Sequence, residues 1–445
     1  MFLGRQEEMD QLRRIDRLAK SSLIICKGRR RIGKTRLIEE FGKSAPHFLC
    51  IQGLAPRKEV TRKEQLANFM AQLAEATDLP RLPLDHWRDA FLLLAKHAEG
   101  KRIVIFLDEI SWMAQGDPDF AGQLKIAWDT RLKQNPGLRL VLCGSASSWL
   151  DENILNSTGF MGRVSLTITL PELPLRYCHQ FWGKRASRIP ALEKFKILSI
   201  TGGVPRYLEE IDPKESAERN IQDLCFTRTG LLFNEFGHIF HDIFSRRAAL
   251  YQELTACLVE GPRNFTEICR ALDLAPNGVI TRYLADLASA GFLRKEHAWT
   301  LATPGKSRKN CRYRLADNYV RFYLKYIEPL KERIEQGLFS LKSLDELPQY
   351  ESMMGIQFEN LVLNNLPLVA QALRLPLSSI RQAGPYRQTP TKRQQACQID
   401  LLIQGKTALY VCEVKYRRQI GPEVVDEVER KIDAIKRVRR YSIRP

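Results

Sequence analysis

The stretch Ser22-Leu23-Ile24-Ile25-Cys26-Lys27-Gly28-Arg29-Arg30-Arg31-Ile32-Gly33-Lys34-Thr35 joins an apolar run to a glycine-bounded loop, and a helix-forming segment, Arg36 to Phe41, follows. The loop fits G-x-x-x-x-G-K-[ST], with Gly28, Gly33, Lys34 and Thr35 in the required places. Glycine permits backbone angles that turn successive N–H groups inward around phosphate oxygens, and the helix start adds its positive dipole end. Lys34 is expected to reach the β- and γ-phosphates, and Thr35 to place its hydroxyl on Mg²⁺. Gly28, Arg29, Arg30, Arg31, Ile32, Gly33, Lys34 and Thr35 are thus the expected nucleotide-binding residues, with ATP and Mg²⁺ as ligands.

Outward from this loop, an amphipathic helix is expected before it, from Glu7 to Lys20, and a strand after it, His47 to Gln52. The run from Arg102 to Glu109 is so apolar that it reads as a buried parallel strand, with Asp108 and Glu109 at its carboxyl end. One carboxylate suits Mg²⁺, and the other suits orienting the attacking water, so the pair points to hydrolysis beyond binding. A further strand, Leu138 to Cys143, leads to Ser145, which either touches the γ-phosphate or water or closes a turn. Arg163, before an alternating strand Val164 to Leu170, reads as an arginine finger or as a surface arginine.

With these residues, Gly4-Arg5, Leu107-Asp108-Glu109, Gly144-Ser145, Gly162-Arg163 and Thr201-Gly202-Gly203-Val204-Pro205, the first 245 residues resemble the archaeal-type ATPases of the AAA/STAND branch of P-loop NTPases. The resemblance implies a five-stranded parallel sheet over residues 1–170 and a helical lid over 171–245, with Pro205 near the nucleotide. It leaves open whether Arg163 acts within its own subunit or across a homo-oligomer formed through the ATPase domain.

Over residues 246–316 the pattern changes to three short helices and a hairpin, the outline of a winged helix, with Thr281, Arg282 and Asp286 expected on the exposed side of the third helix. Lys306, Arg308, Lys309, Arg312 and Arg314 make its hairpin basic. Residues 317–348 read as an aromatic helix followed by a linker, Leu338 to Pro348.

The last segment, 349–445, opens with a helix around Met354 to Val362 and continues as a hairpin, Ile399 to Ile403 and Leu409 to Lys415. Asp400 and Glu413 interrupt apolar strands, where charge is costly without a purpose. Lys415 lies two residues beyond Glu413, on the same side of a strand. Carboxylates that hold Mg²⁺ beside a lysine that steadies charge on the reacting phosphate make a phosphodiesterase. This set resembles the PD-(D/E)xK nuclease superfamily, with Glu359 completing the metal shell. Gln398-Ile399 stands where a proline would precede the aspartate, and the stop at Pro445 is expected to cost the sheet a strand and leave either an open edge or one that a partner covers. The fold class expected is therefore α/β: a P-loop parallel sheet with a helical lid, a winged helix, and a small, shortened restriction-endonuclease-like domain.

The chain has 445 residues and a net charge of +18, and the basic excess is dense from Thr300 to Lys325 and from Arg381 to Pro445. Such charge favours a polyanionic partner, most simply nucleic acid, with DNA the first expectation. No apolar run has the length of a membrane span, Met1 to Arg5 does not read as a signal peptide, and ten scattered cysteines fit a reducing cytoplasm. Two functions follow from different classes. One is an ATP-gated, Mg²⁺-dependent nuclease. The other is a STAND-type nucleotide switch whose C-terminal domain binds nucleic acid or protein without cleaving.

Overall fold

Five strands, β1 (Ser22–Gly28), β2 (His47–Gln52), β3 (Ile103–Asp108), β4 (Leu138–Ser145) and β5 (Val164–Leu170), form one sheet in the order β2-β3-β4-β1-β5 in the computed structural model. Every pairing in it is parallel. The structure describes residues 2–55, 60–145, 148–244, 248–299, 311–390, 395–417, 419–435 and 441–445. The chain divides into two compact units, Met1–Leu173 and Pro174–Pro445.

In the first unit, strand periodicity sorts side chains to two faces. Leu23, Ile25, Ile105, Leu107, Leu140 and Leu142 pack with helices α3 (Arg62–Ala76), α4 (Trp87–Ala98) and α5 (Phe120–Thr130) through Leu66, Phe69, Trp87, Phe91 and Phe120. Ile24, Cys26, Val104, Phe106 and Val141 face α1 (Gln6–Asp16) and α2 (Lys34–Gly42) through Met9, Leu12, Leu37, Ile38 and Phe41. Each such side chain taken from water contributes about 1.5–3 kcal/mol, which is why β3, buried along its whole length, is an uninterrupted apolar run. Parallel pairing brings the carboxyl ends of β1, β3 and β4 to one edge, and Gly28 lies in register with Ser145. α1 stops at Asp16, short of the Lys20 expected. The buried Arg139 guanidinium accounts for this, because it collects the carbonyls of Asp16, Leu18 and Lys20 at 2.8–3.0 Å.

After a short helical stretch, Leu175–Cys178 and His179–Arg185, the second unit contains helices α6 (Ala191–Thr201), α7 (Ala217–Cys225) and α8 (Leu231–Phe244). Three more, α9 (Ala248–Ala256), α10 (Phe265–Ala271) and α11 (Gly278–Ser289), accompany a sheet of β6 (Arg263–Asn264), β7 (Leu293–His297) and β8 (Cys311–Leu315) in the order β6-β8-β7. Asn264 and Glu267 form a capping box on α10, and Asn277 caps α11. Asp286 does not stand out toward solvent as expected; it is half-buried and accepts the Tyr251 hydroxyl at 2.6 Å. Residues Lys306, Arg308 and Lys309 lie outside the described residues. α12 (Asn318–Phe322) follows, and the stretch read as a linker is fixed to α7, with Leu344 N–H donating to Glu218 Oε1 at 2.7 Å.

α13 (Tyr350–Asn364) leads to a mixed sheet of β9 (Gln382–Gln388), β10 (Cys397–Gln404), β11 (Ala408–Cys412) and β12 (Ser442–Arg444), in the order β12-β11-β10-β9, and α14 (Glu423–Ala434) precedes β12. Ile399, Leu402, Leu409 and Val411 face Val428 and Ile432 of α14, while Leu401 and Ile403 face Leu363 and Val362 of α13. Ser442–Arg444 pairs with β11 in parallel, so the last residues of the sequence form an outer strand of the sheet. No helix among the described residues is long and apolar enough to cross a membrane.

Arg321 holds the centre of this unit. It is 1% exposed, and its guanidinium donates to the carbonyls of Leu258 at 3.2 Å, Val259, and Leu315 at 2.5 Å. Burial pushes it down to about 9, which leaves it charged at neutral pH. Replacing it strands three buried carbonyls, so Arg321→Leu should lose about 2–5 kcal/mol. Chemical denaturation followed by circular dichroism should show that loss in the transition of the second unit.

Candidate functional site

The phosphate loop is built at the carboxyl end of β1. A Cβ on Gly28 would come within 2.7 Å of the Leu170 carbonyl, so no larger residue fits beside β5. Arg31 and Gly33 take left-handed angles, φ 68° and 89°, and the second starts α2. Lys34, 6% exposed, spans the loop and donates to the carbonyls of Gly28 and Arg29 at 3.1 Å each. Arg29 pairs with Glu172 at 3.0 Å. Arg5 braces the loop from below, donating to the Ile32 carbonyl at 3.1 Å and to the Pro171 carbonyl at 2.6 Å.

The Thr35 hydroxyl donates to Asp108 Oδ2 at 2.8 Å, so the two side chains expected to share Mg²⁺ already meet. The other Asp108 oxygen accepts the Glu109 N–H at 3.0 Å. Glu109 itself has φ 51°, a left-handed angle that is uncommon for a residue with a side chain. Gly53 makes that turn fit, because a Cβ there would meet the Glu109 carbonyl at 2.8 Å. Ser145 contributes its backbone, with its N–H 3.4 Å from Glu109 Oε2. Burial raises the Glu109 carboxyl above its ordinary value, Lys34 pulls it back, and Asp108 adds to the rise. A hydroxyl beside a carboxylate, a buried ammonium and a second carboxylate of raised pKa suit MgATP and an attacking water. Thr35 and Asp108 would hold Mg²⁺, which would supply neutralisation of phosphate charge.

Residues 20–176 match the family described as AAA domain. The N-terminal unit is a Walker-type AAA ATPase. The Walker-type ATPase paby2304 of Pyrococcus abyssi superposes with a TM-score of 0.54 and 18% identity over 73% of this chain and 96% of that one, which shows a shared fold. The uncharacterized protein MJECL04 of Methanocaldococcus jannaschii is 23% identical over 426 residues, 94% of this chain and 88% of its own length. The Aeropyrum pernix ORC2 protein aligns over 76% of this chain and 95% of its own at 15% identity, with a TM-score of 0.46, too loose a match to bear on function.

Within the AAA domain Arg163 is turned to Asp129, with Nε–Oδ1 and Nη2–Oδ2 both 2.8 Å. That fork holds the Asp129 carboxyl far below its ordinary range. Pro205 belongs to the second unit, where it opens the short helix Pro205–Leu208.

A second cluster lies at the end of the small C-terminal sheet. The register Leu401↔Cys412, carried one step further, sets Asp400 opposite Glu413. Glu413 follows the last residue of β11, so it and Lys415 lie just beyond the strand. The Glu413 side chain is 2% exposed; its Oε1 is 2.6 Å from Lys431 Nζ and its Oε2 3.2 Å from Lys415 Nζ. Glu427 on α14 reaches both lysines, at 2.9 and 3.0 Å. Asp400 Oδ2 accepts the Val414 N–H at 3.0 Å. Burial raises the Glu413 carboxyl, the Lys431 ammonium opposes this, and Asp400 adds to it. Glu359 on α13 is pushed up to about 6, by burial first and then by Asp400. Two facing carboxylates are donors of the right chemistry for a divalent cation, yet among the described residues no three His, Cys, Asp or Glu groups are placed to hold one together.

Sequence reasoning assigned no role to Arg5, which it named only within the family resemblance, and missed Gly53, Glu427 and Lys431. The first two act through long-range contacts that leave no local pattern. The last two sit at i and i+4 on α14, a spacing that reads as an ordinary exposed ion pair. Two outcomes are expected of the ATPase. Glu109→Gln should keep MgATP binding while phosphate release falls by about 10²–10⁴-fold, the usual worth of a positioned general base. In the wild type, the ionised Glu109 carboxylate is the form that accepts a proton, and its pKa is raised. Turnover should therefore fall as pH drops, with the acid limb centred above the 4.5 of an ordinary glutamate.

Proposed function

We propose that this AAA ATPase acts on nucleic acid, DNA in the first instance, and that its nucleotide state gates a Mg²⁺-dependent nuclease in residues 349–445. The observation that carries this reading is the meeting of Asp400, Glu413 and Lys415 at one end of the small sheet, with the buried Glu413 side chain just past the end of the apolar strand β11. Asp400 and Glu413 are the carboxylates that would have to hold a Mg²⁺ as a pair, and the ion would supply Lewis acidity toward a phosphodiester; Glu359 on α13 acts on Asp400 as a neighbouring charge. Lys415 is the group suited to steadying charge on the phosphate. The module of α9 to α11 with β6 to β8 has the outline of a winged helix, and it supports a nucleic-acid role through the exposed Thr281 and Arg282 near the start of α11. Arg312 and Arg314 add less than their number implies, since they pair with Glu267 at 2.9 Å and Glu296 at 2.5 Å.

A STAND-type switch is the second reading, favoured by one feature: both Glu413 oxygens already face lysines. Cleavage of single-stranded, duplex and branched DNA, with Mg²⁺ or Mn²⁺ and with or without ATP, separates the two. The nuclease reading expects ATP-dependent cleavage by the wild type and none by Glu413→Ala, with ATP hydrolysis retained in both. ATP hydrolysis without cleavage of any substrate would move the function to the switch.

A further inference from the structure

We infer that Arg30 is a catalytic residue of the ATPase: the phosphate loop itself supplies, in cis, a guanidinium to the γ-phosphate of ATP. Arginines fill the loop from position 29 to 31, and the fold treats them differently. Arg29 is buried and pairs with Glu172 at 3.0 Å. Ile32 anchors the far side of the loop, with its side chain buried beside Ile24 and Leu37 and its carbonyl accepting from Arg5 at 3.1 Å. Arg30 and Arg31 form the crown between these anchors, and the left-handed angle of Arg31 turns the chain just after Arg30.

A loop of this kind presents the γ-phosphate between its lysine and the carboxylate that directs water. Here the Lys34 ammonium lies on the Gly28 and Arg29 carbonyls, directly before Arg30. Glu109 Oε2 lies 3.4 Å from the N–H of Ser145, the residue in register with Gly28. Arg30 is half-buried, and its charge reaches the same carboxylate: burial raises the Glu109 carboxyl most, and Lys34 and then Arg30 pull it back. Arg163, the finger expected from the sequence, stands at the other end of the sheet. It precedes Val164, which pairs with Leu23, whereas the loop begins where Gly28 pairs with Leu170. The strand between those levels is about 16 Å long, and the Arg163 guanidinium is forked on Asp129. Within one chain, the loop is therefore the source of the guanidinium. In the reaction, water adds to the γ-phosphorus and gives its proton to Glu109 while the bond to the bridging oxygen breaks. ADP leaves with that electron pair. Arg30 exchanges no proton; its N–H groups hold the charge spread over the phosphoryl oxygens.

The test follows ATP turnover by the full chain with Mg²⁺, together with thermal melts in ADP and in ADP with aluminium fluoride, a mimic of the transferring phosphoryl group. Arg30→Ala should lower kcat by about 10²–10³-fold, the usual worth of one donor aimed at transition-state charge, with KM little changed. It should keep the melting shift given by ADP and lose the extra shift given by aluminium fluoride. Arg30→Lys, which keeps the charge without the fork, should melt as the wild type does and recover only part of kcat; it carries the test if the alanine variant does not fold. Mixing Arg30→Ala with Glu109→Gln should regain no turnover, because neither chain has a complete site. An unchanged kcat, or a rise in KM alone, would overturn the catalytic role. Turnover regained on mixing would overturn action in cis.

Discussion

The hydrogen bond from the Thr35 hydroxyl to Asp108 ties the first helix after the phosphate loop to the end of the third strand, and the geometry of the site depends on it. It forms only because β1 and β3 run the same way with β4 between them, which brings their carboxyl ends to one edge. That order in turn needs both faces of the sheet covered, and the alternating apolar residues of β1, β3 and β4 supply two cores for it. The site's stress points follow from the same constraint. Glu109 accepts an uncommon backbone angle, and Gly53 gives up a side chain so that the Glu109 carbonyl can close against it.

In the second unit the organising element is α13. Its buried Gln357 and Asn360 hold the start of α12, with Gln357 Nε2 donating to the Asn318 carbonyl and Asn360 Nδ2 to the Ala316 carbonyl, each at 2.7 Å. On its other side Met354 meets Ser199 of α6, and Phe358 meets Phe195, which also touches Tyr416. Phe358 precedes Glu359 and Tyr416 follows Lys415, so the helical part of the unit packs against the neighbours of two candidate site residues. Buried side-chain amides that spend their N–H groups on particular carbonyls in this way favour one arrangement over its alternatives.

What could be read in the sequence was what short-range chemistry dictates. The phosphate loop, β3 with Asp108 and Glu109, and the β10–β11 hairpin announce themselves through motif, apolar run and alternation. β9 did not, because Gly384 and Pro385 lie inside it and read as a break. β12 did not because three residues of ordinary polarity become a strand only beside β11. Arg139 and Arg321 look like surface charge in the sequence and are interior clamps in the fold, since the carbonyls they gather come from distant segments. The basic hairpin shows the same limit: the sequence gives the charge of Arg312 and Arg314 but not their pairing with Glu267 and Glu296.

The account stands most directly on Thr35 and Asp108 acting as one Mg²⁺ seat within the nucleotide site. Isothermal titration of ADP into the wild type and Thr35→Ala, each with Mg²⁺ and with chelator, measures that seat without relying on turnover. The account predicts that Mg²⁺ tightens ADP binding in the wild type and that this increment is lost in Thr35→Ala, while metal-free binding persists through the loop backbone and Lys34. An increment of equal size in both proteins would contradict it.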